Sequence, residues 1–285
     1  MTAASPEFDR AVAQGLAHHT VGLVKMSEDG LAASSLAGSG TLVSVGPMSG
    51  LLTAAHVVKC LGNKGQVGFV HFDGRGQVHK PVIDLAVLER LTICGETFGP
   101  NGPDLAFLRL PLSTVATLQA RSNFLNLLAQ GDTARCPEPP ADTLMTAVVG
   151  VVGEWTENLR HKSFESIKRF TLLAAGGRIA SKREHNGHDL LDFERVLPKD
   201  QLVPSSYGGV SGGGLWRVYV CQSEQIIETR LLGFAFYQSP LSEGSRLITC
   251  HGPRSVYGHL IDAMTKKWPE IVEPPAPPRR GEDPQ

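Results

Sequence analysis

Three short stretches of the sequence hold side chains that together could carry out acyl transfer. LLTAAHVV contains His56, GPDLAFLRL contains Asp104 and GGVSGGG contains Ser211. A serine hydroxyl becomes nucleophilic when a neighbouring imidazole accepts its proton. A carboxylate then fixes the tautomer of the imidazole and stabilises the imidazolium. The order along this chain is therefore base, acid and nucleophile.

The glycines around Ser211 indicate how the charge of such a reaction would be stabilised. A tetrahedral intermediate carries negative charge on the former carbonyl oxygen, and two backbone N–H groups aimed at that oxygen stabilise it. Gly209 can adopt a backbone conformation that a side chain would forbid. We therefore predict an oxyanion hole formed by the N–H groups of Gly209 and Ser211. Gly212 and Gly213 are expected to keep the floor of the site clear for substrate.

Short β-rich runs separated by turn residues surround these three stretches. Many short strands with little helical periodicity are typical of a barrel or a sandwich. The pattern places His56 at the end of one apolar strand and Asp104 at the start of another. The predicted strands fall into two sets of six: 20–26, 40–45, 50–58, 66–72, 81–89 and 104–110, then 144–152, 169–180, 189–197, 214–220, 226–237 and 246–250.

Composition divides the chain into five segments. A short helix is expected at 6–17 with Ser5 as its N-cap, and apolar residues at helical spacing predict a C-terminal helix at 256–268. The last segment is Pro-rich and polar, which predicts a disordered or polyproline II tail that could also dock on a polyproline reader. The segments are a helical start, a first β unit, a linker, a second β unit with the closing helix, and the tail: 1–19, 20–125, 126–142, 143–272 and 273–285.

The bulk composition excludes several classes of partner. The 285 residues are 19% charged with a formal net charge of −1, whereas nucleic-acid binders usually carry a basic excess. The sequence holds no apolar run of membrane-spanning length and does not start like a secretory signal. Five cysteines without a CxxC spacing suit buried thiols in a reducing compartment better than a disulfide frame or a zinc site. We therefore expect a cytoplasmic protein that binds neither nucleic acid nor membrane.

At its three motifs the sequence resembles the chymotrypsin/trypsin-like serine peptidases. TAAH at 53–56 is identical to the histidine motif of that family, and DLAFLRL at 104–110 matches its aspartate motif with conservative changes. GVSGG at 209–213 matches its serine motif at all but one position. The resemblance runs from about residue 20 to about residue 268 and implies a serine endopeptidase that needs neither metal nor organic cofactor.

The resemblance also implies an architecture and a substrate site. The fold would be all-β, with two six-stranded antiparallel β-barrels and a C-terminal helix. His56 and Asp104 would come from the first barrel and Ser211 from the second, with the cleft between them. The specificity pocket would have its floor near Ser205 and its wall at Phe236, Tyr237 and Gln238. The substrate would be a protein or peptide, and one dedicated protein partner is possible.

Two departures from the family pattern bear on activation. Members that are activated by cleavage keep an aspartate before the serine to pair with a new N-terminus, and this chain has Val210 there. The Ile-Val-Gly-Gly type of start is missing too. An apolar residue such as Val210 could not pair with the ammonium of a new N-terminus, and leaving that ammonium buried and unpaired would be costly. A third departure concerns a disulfide, since no cysteine precedes His56 to pair with Cys60. The resemblance is therefore to bacterial-type, intracellular members that need no activating cleavage.

Other interpretations of the same residues remain open. The chain could be a protein-binding module on a peptidase scaffold, with the triad kept but the pocket closed. GVSGG also fits G-x-S-x-G, the nucleophile elbow of α/β-hydrolase esterases. That fold needs a helix directly after the serine and then an acid followed by a histidine, but Asp262 follows both His251 and His259. HNGH at 185–188 could hint at a metal, although an exposed hairpin turn explains it better.

Overall fold

The computed structural model describes residues 6–72, 78–79, 81–161, 164–196, 204–242 and 246–271. Within these ranges the chain is mostly β, with two sheets and several short helices. The predicted N-cap Ser5 and the predicted tail 273–285 lie outside the described residues.

The N-terminal half folds into one nine-stranded sheet. The strands are β1 Thr20–Ser27, β2 Gly30–Val45, β3 Met48–Thr53, β4 Gln66–Phe72, β5 Val78–His79, β6 Val82–Asp84, β7 Glu89–Cys94, β8 Asp104–Arg109 and β9 Leu125–Asn126. Their hydrogen-bonded order is β5-β4-β1-β2-β3-β8-β7, and β6 also pairs with β4 and β9 with β2. All pairs are antiparallel except the two-residue pair of β9 with β2.

This sheet differs from the predicted six-stranded barrel in two ways. It has more strands, and among the described residues no pairing joins its two ends. The run predicted as one strand over 81–89 is broken, because the Asp84 carboxylate accepts the Ala86 N–H at 2.8 Å and caps a 3₁₀ turn at Leu85–Val87. The chain then re-enters the sheet at Glu89 as β7.

The C-terminal half forms a closed six-stranded antiparallel barrel in the order β10-β11-β12-β15-β14-β13. All six strands predicted for this half are present. The turn between β11 and β12 is Asn186-Gly187 with φ of 49° and 81°, which is the hairpin turn predicted at HNGH. The strands are β10 Thr143–His161, β11 Phe164–His185, β12 His188–Arg195, β13 Gly214–Val220, β14 Ile226–Gln238 and β15 Leu247–His251.

Helices connect and close the two sheets. The predicted N-terminal helix is confirmed, and a π-helical turn at Ser255–Leu260 continues into α5 to form the predicted C-terminal helix. No helix of the described residues is both long enough and apolar enough to cross a bilayer. The α-helices are α1 Pro6–Ala17, α2 Ala55–Leu61, α3 Leu112–Gln119, α4 Leu127–Arg135 and α5 Ile261–Lys267.

One apolar cluster joins the two sheets and the closing helix. It contains Leu52 and Phe107 from the first sheet, Trp216 and Phe234 from the barrel, and Leu260 ahead of α5, and all five are fully buried. Because burial of apolar surface is the main stabilising term, this shared core holds the two sheets against each other.

Candidate active site

His56 lies in the first turn of α2, not at the end of a strand as predicted. Strand β3 ends at Thr53, and the buried small residues Ala54 and Ala55 let the chain turn into the helix. The prediction of a strand over 50–58 was wrong from residue 54 onwards. The turn places the imidazole beside the first residue of β8.

Asp104 holds His56 with both carboxylate oxygens, one at the backbone and one at the ring. Its Oδ1 accepts the backbone N–H of His56 at 2.9 Å, and its Oδ2 lies 2.6 Å from His56 Nδ1. The carboxylate is almost fully buried, whereas the imidazole is partly exposed. A carboxylate accepts only, so Nδ1 carries the proton and Nε2 is left as the basic atom. This is the tautomer that a general base needs.

Ser211 shares a cavity with this pair. His56, Asp104 and Ser211 all line a cleft of about 410 Å³. The Ser211 hydroxyl donates a long bond of 3.5 Å to the Phe236 carbonyl, and within the described part of the chain it has no bond to the His56 ring. A nucleophile and its base often reach bonding distance only in the complex with substrate. The structure thus joins His56 to Asp104 and places Ser211 in the same cleft.

In the serine loop, residues 208–213, two backbone N–H groups have no acceptor among the described residues. The Gly208 carbonyl accepts the Gly153 N–H at 2.8 Å, and the Val210 carbonyl accepts the Gly213 N–H at 2.8 Å. In a trans peptide the N–H points away from the C=O of the same plane. The N–H groups of Gly209 and Ser211 therefore point away from these donors, and among the described residues neither is bonded. They are the two groups predicted for the oxyanion hole.

Glycine is required at two positions of this loop. Gly209 has φ of +95°, and a Cβ there would lie 2.8 Å from the Val151 carbonyl oxygen. Gly212 has φ of +91°, and its Cβ would overlap the Ser39 carbonyl oxygen. The prediction that Gly212 and Gly213 clear the cavity floor was wrong, since neither lines the cavity within the described residues. They allow β2 and β10 to approach the loop closely.

The residues predicted for the specificity pocket separate into two groups. Phe236, Tyr237 and Gln238 line the cleft as predicted, with Tyr207 and Ile248 beside them. Ser205 is not among the described lining residues.

Ser205 is held outside the cleft by a carboxylate. It donates its N–H and its hydroxyl to Glu154 at 3.1 and 2.7 Å. The hydroxyl bond, followed by the bonds from the N–H groups of Ser205 and Ser206, lowers the pKa of Glu154. The loop bends there, so counting back from Ser211 does not locate the pocket floor.

An aromatic ring covers the imidazole, which sequence reasoning missed. Phe98 is 39% exposed and meets the His56 ring edge-on, with centroids 5.8 Å apart. Lys59 Nζ lies 5.1 Å from the centroid of the Phe98 ring. An aromatic residue in the loop before Asp104 is the only signal that the sequence offers for this wall.

A buried histidine supports Asp104 from behind, and sequence reasoning did not assign it to the site. His251 Nε2 accepts the Asp104 N–H at 3.1 Å, and its ring stacks on Phe236 at 4.3 Å. Burial, with a smaller contribution from neighbouring His188, lowers the pKa of His251 to about 3. The ring is therefore neutral and can act as the acceptor.

This buried ring should make stability depend on pH. Its pKa is about 3 when folded and 6.5 when unfolded, so the unfolded chain binds the extra proton between these values. Stability is full above about pH 6.5 and falls as the pH drops towards 3, by about 2 kcal/mol at pH 5. Urea unfolding at pH 7.5 and pH 5 should show this fall in wild type and a smaller one in His251→Gln. An equal fall in both proteins would contradict the assignment.

The surroundings of Ser211 do not match a nucleophile elbow, because strand β13 and not a helix follows it from Gly214. Across the described residues, no group of three or more His, Cys, Asp or Glu is arranged to hold a metal ion. A comparison of the chain with models of known protein families and with curated proteins finds no match.

Proposed function

We propose that this protein is a serine endopeptidase that hydrolyses peptide bonds through an acyl-enzyme intermediate. The main support for this proposal is the pairing of both Asp104 oxygens with His56 in a cleft that Ser211 also lines. The two unbonded N–H groups of the serine loop support it, because they supply the charge stabilisation that acyl transfer needs. No metal or organic cofactor has a part in this mechanism.

The reaction proceeds in two halves. The Ser211 Oγ attacks the peptide carbonyl carbon while His56 Nε2 takes the hydroxyl proton. The carbonyl oxygen becomes an oxyanion held by the N–H groups of Gly209 and Ser211. As the C–N bond breaks, His56 returns the proton to the leaving amine and an ester on Ser211 remains. Water then attacks this ester with His56 as base, which releases the acid and restores Ser211.

The origin of the three side chains supports a double-barrel peptidase architecture. His56 and Asp104 come from the first sheet, and Ser211 comes from the loop before β13 of the closed barrel. We interpret the nine-stranded sheet as the elaborated counterpart of a first barrel. The resemblance of the three sequence motifs to the chymotrypsin-like family points to the same architecture.

The lining of the cleft supports an uncharged substrate side chain next to the cleaved bond. Beside the reacting groups, the described lining offers apolar atoms from Tyr207, Val210, Ala235 and Ile248. It holds no Lys, Arg, Glu or further Asp that could pair with a charged substrate side chain. A Lys or Arg side chain would lose its hydration there without a partner. We propose a protein or peptide substrate with an apolar residue at this position. All five cysteines are free thiols, which fits a reducing compartment such as the cytoplasm. Only Cys250 is buried, so the prediction of buried thiols was wrong for the other four.

Covalent labelling tests the proposal directly. A fluorophosphonate probe should modify the native protein at one serine, and peptide mass mapping should locate the adduct at Ser211. Protein unfolded in urea is the control and should not react, because Ser211 is activated only when His56 is brought to it. Absence of an adduct, an adduct at another serine, or equal labelling of unfolded protein would contradict the proposal.

A binding module on a peptidase scaffold is the second candidate. It is favoured by one observation, the bond of Ser211 Oγ to the Phe236 carbonyl instead of to His56. Stoichiometric capture of one partner that is never cleaved, together with no reaction of Ser211 with the probe, would favour this candidate over the peptidase.

A further inference from the structure

We propose that Ser39 is a positioning residue that keeps the oxyanion hole formed, in the place of a charged activation contact. This inference rests on the proposed peptidase function. Ser39 belongs to the GSGTLV stretch of β2 in the first sheet, whereas the loop that it holds belongs to the barrel. It would act through Gly209 and Ser211, without touching substrate.

Ser39 is fully buried and makes three bonds to the opposite half of the molecule. Its Oγ accepts the Val151 N–H at 2.8 Å and donates to the Gly209 carbonyl at 2.7 Å. Its own N–H donates to the Ser211 carbonyl at 2.7 Å. A serine hydroxyl has one proton, and with Val151 as donor that proton is committed to Gly209. Both residues of the hole are thus tied to one side chain and its backbone.

These bonds complete a set that leaves no carbonyl of the loop free to rotate. Gly153 holds the Gly208 carbonyl and Gly213 holds that of Val210, while Ser39 holds those of Gly209 and Ser211. Glycine at 209 has low barriers to rotation, so its peptide could otherwise turn a carbonyl into the hole. With all four carbonyls anchored, the two N–H groups stay directed at the site of the oxyanion.

The apolar environment of the loop explains why hydrogen bonds between uncharged groups would hold it in place. Val210 is 1% exposed and packs in an apolar cluster with Val148, Tyr207 and Leu215. A carboxylate at this position would be desolvated among apolar side chains. The hydrogen bonds that β2 and β10 supply need no ionised group, and they form when the chain folds. The protein would therefore be active without proteolytic processing.

The test compares Ser39→Ala with Thr41→Val. Thr41 is also fully buried on β2, and its hydroxyl donates at 3.2 Å to the Gly212 carbonyl, outside the hole. Ser39→Ala should lower kcat about 10- to 100-fold with KM within about twofold, since losing a whole oxyanion donor costs about 10²–10³. Affinity for a peptidyl trifluoromethyl ketone, which forms an oxyanion on the enzyme, should fall by the same factor. Thr41→Val should keep kcat within about threefold.

A second pair of variants covers the case in which Ser39→Ala does not fold. Gly153→Pro removes the N–H that holds the Gly208 carbonyl, whereas Gly153→Ala adds the same Cβ but keeps the N–H. The proline variant should have a kcat at least about 10-fold below that of the alanine variant. Equal kcat values in this pair would mean that turnover does not depend on anchored carbonyls in this loop, and the role of Ser39 as an anchor would be overturned.

The outcomes separate this inference from the proposed function. A wild-type protein that neither cleaves peptides nor reacts with fluorophosphonate would remove the function itself. An active wild type in which Ser39→Ala folds but loses no more kcat than Thr41→Val would overturn the role of Ser39 alone. A change confined to KM would overturn it as well, because an oxyanion contact acts on the transition state.

Discussion

Ser211→Ala should lower kcat about 10⁶-fold, because it removes the hydroxyl that would form the acyl-enzyme. Some acceleration over the reaction in water should remain, from substrate binding and the N–H groups of Gly209 and Ser211. The thermal midpoint should stay within about 2 °C of wild type, since Ser211 Oγ makes only the 3.5 Å bond to Phe236. Cleavage of a chromogenic peptide and thermal unfolding of the same preparations measure both quantities.

The matched control for this variant is Ser223→Ala, which removes an exposed serine in the turn between β13 and β14. Its kcat should equal that of wild type. If Ser211→Ala keeps more than about 1% of the wild-type kcat, a different group is the nucleophile and the proposed mechanism fails.

Asp104→Asn should lower kcat about 10⁴-fold at neutral pH with little change in KM. Asp104 Oδ1 accepts the His56 backbone N–H, so the asparagine oxygen would keep this position. The amide NH₂ would then face His56 Nδ1, where Oδ2 now lies at 2.6 Å. A donor at that place forces the ring proton to Nε2, and His56 could no longer accept the proton of Ser211.

Asp189→Asn is the control for this second variant. Asp189 is a carboxylate with the same kind of partners, the N–H and hydroxyl of Ser255 at 2.7 and 2.8 Å. Its replacement should reduce stability but leave kcat within about threefold. Equal kcat losses in the two variants would mean that Asp104 acts on folding alone, and the assignment of the acid would then be wrong.

Much of the barrel could be predicted because its strands follow a local pattern. Each of the six predicted strands of the second half overlaps one of β10 to β15, although β10 and β11 extend well beyond the predicted runs. The turn at Asn186-Gly187 has the sequence that such hairpins require. The first sheet was predicted less well. TAAHVV continues an apolar run, and nothing in that run shows that a helix begins at Ala55.

Other parts of the site could not be predicted, because they depend on contacts between distant segments. Ser205 is six residues before Ser211, but Glu154 from β10 holds it away from the cleft. His251 of the barrel contacts Asp104 of the first sheet, and Phe98 contacts His56 from the loop between β7 and β8. Sequence spacing does not specify how a loop bends or which ring packs beneath a strand.

The sequence by itself determined the residue types of the site, their order along the chain and the glycines that allow the serine loop its positive φ angles. These are local properties, since side-chain chemistry and backbone freedom belong to single residues. Only the tertiary structure decided which groups hold the site in place. Ser39 meets Gly209 across 170 residues and His251 meets Asp104 across 147, and packing of the two sheets around a shared core creates both contacts.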